Sequence, residues 1–247
     1  MARNRTRRPW LERLPGRRPE ADFQWRGKEV SRLEGFADGV FAFAVTLLVV
    51  ALEVPRTVDG LVEVIRGFPA FTVCFALLMI FWNAHYRFFR RYGLEDRLTR
   101  FLNTGVLLLV MFSVYPLKFL FGAILTFGST QVPHITTWSE LRFVYTVYGL
   151  GFLGIWLLYL LLHVHAMRQR HRLQLNQAEV LKTREQIVSF AINSVISASS
   201  VILAQLNFSS SLPAYVYLLL LPALVLNALI HRRLVHTVLA PDSAQRG

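Results

Sequence analysis

The chain has 247 residues, of which 54% are hydrophobic and only 17% are charged, and its mean hydropathy is +0.41. Soluble domains usually carry about 25% charged residues, and a nucleic-acid-binding protein with this net charge of +12 would not be so apolar. The composition therefore predicts a membrane protein with basic loops and no nucleic-acid partner. The single cysteine, Cys74, excludes an internal disulfide and is expected to be a small packing residue.

Residues 1–31 are interpreted as a basic, cytoplasmic N-terminal arm. The part through Arg26 is rich in arginine and proline, and we expect it to be a mobile tail. Two interpretations of the arm stay open. It either serves topology and solubility alone, or it also contacts anionic lipid headgroups, at roughly 1 kcal/mol per basic residue near the membrane surface.

Six apolar segments follow the arm, and each has about the 20 residues that a membrane-spanning helix needs. They cover residues 33–54, 68–88, 98–127, 141–167, 187–206 and 212–230. The fifth segment is unusually polar, with Asn193 and several serines, which predicts packing against other helices rather than lipid. We predict an all-α membrane protein with a six-helix domain at residues 32–236 and a C-terminal tail at 237–247.

Lysine and arginine are concentrated in alternate loops. Ten of them lie in residues 1–32, five in the loop after the second segment and five in the loop after the fourth, whereas residues 128–140 and 207–213 have none. Basic loops face the cytoplasm. The basic regions all fall on one side only if there are six segments, so we predict that both termini are cytoplasmic.

The sequence offers little support for an enzyme. The motifs HExxH, Walker A and GxSxG do not occur in it. His163 and His165 lie two residues apart and would point to different faces of a helix. We expect a solvated pair at the membrane interface, with a metal site as the alternative.

The first segment opens with charged and polar residues that precede an apolar run. Asp38 is predicted about one turn inside the membrane, where an unpaired charge is costly. Trp82, His85 and Asn103 are predicted at a similar depth. A hydrogen-bonded cluster of Arg32, Asp38, His85 and Asn103, with Trp82 beside it, would satisfy these side chains. Such a cluster either only holds the helices together or also contacts ions.

Spacing places one set of residues of the first segment on a single helix face. Its members, three or four residues apart, are Gly39, Phe43, Thr46, Val50 and Glu53. In one interpretation this face lines a pore. Phe43 would then exclude water, Thr46 would offer oxygens to a cation, and Glu53 would concentrate cations. The alternatives are core packing for Phe43, a bond to its own i−4 carbonyl for Thr46, and an interfacial position for Glu53.

Three motifs resemble the transmembrane protein 175 family, which comprises potassium channels of endolysosomes and their prokaryotic relatives. Arg32, Phe36 and Asp38 match the R-x-x-x-F-S-D signature of the family, with Ala37 in place of the serine. The segment F-W-x-x-H at residues 81–85 and the segment R-L-T-R-F-L-N at 97–103, followed by Pro116, are similar as well. The resemblance covers roughly residues 31–120.

The resemblance implies a potassium channel that needs no cofactor, with K⁺ as the permeant ion and a homotetramer in a prokaryotic plasma membrane. It also implies that the first helices line the pore, with Phe43 at the position of the constricting isoleucine or leucine. A TVGYG-like filter is absent from the sequence, as the resemblance implies. Phe43 is bulkier than the family residue, which predicts a tighter pore or a different selectivity.

A secondary transporter or proton-coupled carrier is the alternative function. Such proteins often contain inverted repeats and interrupted helices near the membrane midplane. Pro116 and Pro222 interrupt the third and sixth segments, but the two halves of the sequence show no paired symmetry.

Overall fold

The computed structural model describes residues 23–50, 54–125, 135–206 and 212–239, and these residues are almost entirely helical. The helices are α1 (Arg32–Val50), α2 (Val58–Tyr92), α3 (Arg97–Leu125), α4 (Trp138–Arg168), α5 (Gln177–Gln205), the short α6 (Leu212–Tyr215) and α7 (Leu220–Leu239). A 3-10 turn at Val216–Leu219 joins α6 to α7.

Six segments in the described ranges are long and apolar enough to span a bilayer, and the sixth is the stretch Leu212–Leu234. The predicted all-helical fold with six spans is confirmed. Two helices begin about ten residues before the predicted segments, because polar caps start them ahead of the apolar run. Thr57 Oγ1 accepts from Gly60 N at the start of α2, and Asn176 Oδ1 accepts from Glu179 N at the start of α5.

The helices pack in chain order. α1 packs against α2 and α3, α3 packs against α4, α4 lies along α5, and α5 packs against α6 and α7. Aromatic side chains fill the core between α2 and α4, where Phe81 and Tyr159 are fully buried. Tyr159 Oη donates a 2.7 Å hydrogen bond to Phe81 O. The buried hydroxyl is therefore satisfied, and its burial carries no penalty for an unpaired polar group.

The polar side chains of α5 face inward, as the composition of the segment predicts. Asn193, Ser194, Ser197 and Ser200 are buried. Ser194 and Ser197 donate to the carbonyls four residues earlier, whereas Ser200 donates to Pro213 O at 2.8 Å. These bonds satisfy the hydroxyls and tie α5 to α6.

The ends of the helices that carry the basic loops meet at one end of the bundle. Asp96, between α2 and α3, contacts His165 near the end of α4. Asn227 in α7 donates to Glu185 O and Ser189 Oγ, near the start of α5. These contacts bring the basic loop after α2 to the end of α4, and α7 to the start of α5.

The last residues of the predicted mobile tail are packed against the bundle instead. Phe23 is only 5% exposed, and Gly27 N donates to Arg90 O at the end of α2. Arg26 forms an ion pair with Glu179 at the start of α5. This contact between distant parts of the chain is why the segment packs against the bundle, and composition alone could not reveal it. Residues 1–22 and 240–247 lie outside the described ranges.

Candidate pore helix and the polar residues beside it

Helix α1 has two distinct faces. Its buried face, spaced three or four residues apart, is formed by Glu34, Ala37, Phe41, Ala44 and Leu48. The opposite face is exposed along the whole described helix. In a single chain α1 therefore packs on α2 and α3 with one side and leaves the other side uncovered.

The predicted pore residues lie on this uncovered face. Phe43 is 54% exposed and Val50 is 70% exposed, and Gly39 and Thr46 are exposed as well. A Cβ atom added at Gly39 would meet no atom within 4 Å. Glu53 lies outside the described residues, so the fifth member of the set has no described position.

The hydroxyl proton of Thr46 is used within the helix. Thr46 Oγ1 donates to Ala42 O at 3.0 Å, which is one of the two alternatives that the sequence left open. The bond consumes the proton and leaves the oxygen lone pairs free, since a hydroxyl has one donor and two acceptor sites. Thr46 can therefore present an oxygen acceptor, but not a donor, to the space beside α1.

Asp38 is bound by α2. Trp82 Nε1 donates a 2.8 Å hydrogen bond to Asp38 Oδ1. The Trp82 ring stacks on Tyr86 one turn further along α2, with ring centroids 5.5 Å apart. This bond gives the Asp38 carboxylate a donor and ties the first turns of α1 to α2.

A second polar pair joins α2 to α3. His85 Nε2 lies 2.8 Å from Asn103 Oδ1, and both side chains are buried. The Nε2 atom carries the proton in this pair because the amide oxygen is an acceptor. The His85 ring also contacts Phe41 of α1, at 5.7 Å between centroids, and Phe89 at 4.6 Å.

The structure thus forms two pairs where the sequence analysis expected one cluster. Arg32 is exposed at the start of α1 and has no hydrogen bond or ion pair with the described part of the chain. Phe36, also in the motif, is 67% exposed on the same uncovered face as Phe43. The polar residues Asp38, Trp82, His85 and Asn103 are therefore brought together pairwise, and Arg32 is not.

Sequence reasoning missed a buried ion pair next to this site. Glu34 is buried on α1, and its Oε1 lies 3.2 Å from Arg90 Nε of α2, an ion pair without hydrogen-bond geometry. Arg90 Nη1 also donates to Gly27 O at 3.0 Å. The signal was the position of Glu34, which shares the spacing of Ala37 and Phe41 on the buried face.

The two histidines at the end of α4 have different environments. His163 is buried, contrary to the expected solvated pair, because its Nδ1 donates to Tyr159 O at 2.8 Å and its ring packs on Phe88 and Phe190. His165 Nε2 lies 2.7 Å from Asp96 Oδ2. The described residues contain no group of three or more His, Cys, Asp or Glu side chains that could hold a metal ion.

Asp96 organises the loop between α2 and α3. Burial by itself raises the pKa of Asp96, but hydrogen bonds from His165, the Thr99 backbone N–H and Gln169 outweigh it. The pKa of the carboxyl therefore lies well below its usual range. The bond from Thr99 N, at 2.9 Å, also makes Asp96 the cap of α3.

Comparisons with known proteins agree on one family. The family described as "Endosomal/lysosomal potassium channel TMEM175" matches residues 32–116. A potassium channel of Marivirga tractuosa is 33% identical over 218 residues, which are 83% of this chain and 88% of that protein. A potassium channel of Chamaesiphon minutus is 34% identical over 96 residues, which are 36% of this chain and 47% of that protein.

Solved structures show the same fold. A variant of the potassium channel MtTMEM175, crystallised with a nanobody–MBP fusion protein, superposes with a TM-score of 0.77 and 30% identity. The superposition covers 89% of this chain and all of the other. The TMEM175 homolog from Chamaesiphon minutus gives a TM-score of 0.54 at 24% identity, covering 79% of this chain and 96% of the other.

Proposed function

The chain belongs to the TMEM175 family, a family of ion channels rather than enzymes, and we propose that this multi-pass membrane protein is itself a potassium-permeable cation channel. The observation that carries the proposal is the uncovered face of α1. It holds Phe43, Thr46 and Val50 in a row along a membrane-spanning helix. No enzymatic step and no cofactor are part of the proposed activity.

The channel is a homotetramer in which the uncovered faces of four α1 helices surround a central pore. Membrane helices bury such faces against one another through van der Waals contacts and small residues. Gly39 has free space at its Cβ position and lies where neighbouring helices would approach. Within each subunit, Asp38–Trp82 and His85–Asn103 hold α1, α2 and α3 in register.

Permeation is passive, through an apolar constriction formed by Phe43. A hydrophobic ring excludes water, and a cation that passes it must shed part of its hydration shell. Thr46, one turn further along α1, offers hydroxyl oxygens in place of lost water, since its proton is engaged with Ala42 O. Glu53 contributes an outer ring of negative charge that concentrates cations.

The end of the bundle that carries the basic loops faces the cytoplasm. Basic loops are retained on the cytoplasmic side during insertion, and the contact of Asp96 with His165 brings two of these loops together. Both termini are then cytoplasmic, with residues 32–236 as the channel domain. The similar bacterial proteins favour a plasma membrane, whose anionic headgroups would contact the basic arm.

The proposal is tested by cation flux from liposomes that contain the purified protein, with potassium compared to sodium. Potassium efflux should exceed sodium efflux. Phe43→Ala should raise the flux or reduce the preference for potassium, because it opens the apolar ring. Phe143→Ala is the matched control, since Phe143 is 70% exposed on α4, outside the proposed pore.

Unchanged flux and selectivity in Phe43→Ala would reject Phe43 as the constriction. An absence of flux from a correctly assembled protein would reject the channel. Uptake that saturates and follows a proton gradient would instead identify a carrier.

A further inference from the structure

The segment just before α1 is anchored by one arginine. Arg26 Nη1 and Nη2 bind the two oxygens of Glu179 at 3.0 and 2.8 Å. The remaining donors reach Leu173 O at 2.7 Å, Gln174 O at 3.2 Å and Gln24 O at 3.0 Å. All five N–H donors of the guanidinium are therefore used, and three of the acceptors are carbonyls that only a donor group can face.

The acceptor of this pair is as fully occupied as the donor. Glu179 is 1% exposed, and besides Arg26 it accepts from Gln24 N and from Asn176 N, both at 2.9 Å. The bond from Asn176 belongs to the capping box of α5, which explains a glutamate at this position. The capping box does not explain why a second chain segment brings an arginine to the same carboxylate.

A second anchor lies beside the first, at the end of α2. Gly27 and Arg90 exchange two hydrogen bonds, from Gly27 N to Arg90 O and from Arg90 Nη1 to Gly27 O. A Cβ atom at Gly27 would stand 2.7 Å from Phe89 O, and one at Gly93, where φ is +58°, would stand 3.2 Å from Arg26 C. Only glycines allow the two backbones to come this close.

This docked segment continues directly into the proposed pore helix. Residues 28–31 separate Gly27 from Arg32, the first residue of α1, and a chain of this length spans at most about 17 Å. Arg90 also pairs with Glu34 in the first turn of α1. The cytoplasmic end of α1 is thus attached to α2 and, through Arg26, to α5.

We propose that Arg26 and Glu179 are positioning residues for ion permeation: their pairing holds the cytoplasmic end of α1 in the conducting arrangement. The inference rests on the proposed function, in which four copies of α1 line one pore. All four copies of α1 must be ordered for the pore to conduct, so the conducting fraction is the product of four probabilities. A modest loss of order at the end of each α1 therefore reduces the flux strongly. Ion discrimination is set further along α1, at Phe43 and Thr46, and does not depend on the pair.

The test compares potassium flux in Arg26→Ala and Glu179→Gln with the wild type. Glutamine retains the shape and capping ability of Glu179 but loses the charge. Both variants should reduce potassium flux on the order of tenfold, with the ratio of potassium to sodium flux unchanged. Arg172→Ala and Glu29→Gln are matched controls, since both residues are exposed and neither contacts α1 or α5 through an ion pair in the described ranges.

Chemical rescue separates positioning from general damage. Guanidinium chloride at millimolar concentration should restore flux in Arg26→Ala, because the ion fits the carboxylate and carbonyls that Arg26 leaves. It should not restore flux in Glu179→Gln, and Arg172→Ala reports any direct block of the pore by guanidinium.

Docking itself is measured by a nitroxide label at Glu29→Cys in a Cys74→Ala background. Its mobility should rise when Arg26→Ala or Glu179→Gln is added. Unchanged mobility would overturn the docking, and increased mobility with wild-type flux would overturn the positioning role. A wild type without flux would reject the channel itself, while the label would still report whether the segment docks.

Discussion

Trp82 Nε1 donates a 2.8 Å hydrogen bond to Asp38 Oδ1, and this bond joins α2 to the helix proposed to line the pore. Asp38 also belongs to the motif by which the sequence resembles the family. Its carboxylate is thereby held on α1 at the side of α2 rather than on the uncovered face. The motif aspartate thus supports the helix proposed to line the pore, whereas Phe43 and Thr46 face the space that the pore would occupy.

Removal of the indole donor should destabilise the protein. Trp82→Phe retains an aromatic ring and deletes the N–H, and we expect a loss of about 1–3 kcal/mol in the free energy of unfolding, since the carboxylate loses its donor. Thermal unfolding in detergent measures the change. Trp25→Phe is the control because Trp25 is 54% exposed; equal melting temperatures for the two variants would contradict a structural role for the bond.

The pair His85–Asn103 should behave as one unit. Each single substitution, His85→Ala or Asn103→Ala, leaves a buried polar partner unsatisfied and should cost roughly 1–3 kcal/mol beyond the packing loss. The double variant should cost less than the sum of the two. A double-mutant cycle on thermal unfolding gives the coupling, and strict additivity would show that the 2.8 Å contact contributes nothing.

Thr46→Ala should lower the preference for potassium over sodium without lowering stability. The substitution removes the hydroxyl oxygen from the proposed pore. It also removes the bond to Ala42 O, but a hydroxyl bond to the carbonyl four residues earlier does not stabilise a helix. Thr72→Ala is a close control, because Thr72 is exposed on α2 and makes the same kind of bond to Phe68 O. A similar change in selectivity from both variants would place the effect outside the pore.

Asp96→Asn should destabilise the protein at neutral pH, by about 1 kcal/mol since the site is partly exposed. The folded pKa of Asp96 lies below the unfolded value of about 3.9. The carboxylate therefore stabilises the fold above about pH 4, and this contribution is lost as the pH falls through the folded pKa. Asparagine retains the cap of α3, so the variant isolates the contacts with His165 and Gln169.

Unfolding measured from pH 7 down to pH 2 should show a constant advantage of the wild type over Asp96→Asn above about pH 4 and a decreasing one below it. Part of the advantage should remain at pH 3, because the folded pKa of Asp96 lies well below its usual range. Glu95→Gln, at the exposed neighbouring position, should differ little from the wild type throughout. A difference between the wild type and Asp96→Asn that stays constant between pH 4 and pH 2 would refute an electrostatic origin.

The orientation is testable with single cysteines in a Cys74→Ala background, which suits a native cysteine that is buried. Glu95→Cys lies in a basic loop, and Arg56→Cys lies in the loop between α1 and α2; both positions are exposed. A membrane-impermeant maleimide should label Arg56→Cys in right-side-out vesicles and Glu95→Cys in inside-out vesicles. The reverse pattern would invert the proposed topology.

Properties that are local along the chain were predictable from the sequence. The six spans follow from runs of apolar residues, and the spacing of Gly39, Phe43, Thr46 and Val50 predicts that they share one face of α1, although only the structure shows that this face is uncovered. The early starts of α2 and α5 were missed because polar first turns and caps lie outside the apolar runs. In α5 the buried Glu179 belongs to such a turn.

The sequence by itself determined that the chain is a six-span helical membrane protein with a two-faced first helix, because hydropathy and helical period are properties of neighbouring residues. Only the tertiary structure decided which polar residues meet. Arg26 and Glu179 are 153 positions apart. Asp38 pairs with Trp82, whereas Arg32 pairs with no residue in the part of the chain that the structure describes. Such pairings depend on how each helix is rotated and packed against its neighbours, and no local pattern in the sequence specifies that rotation.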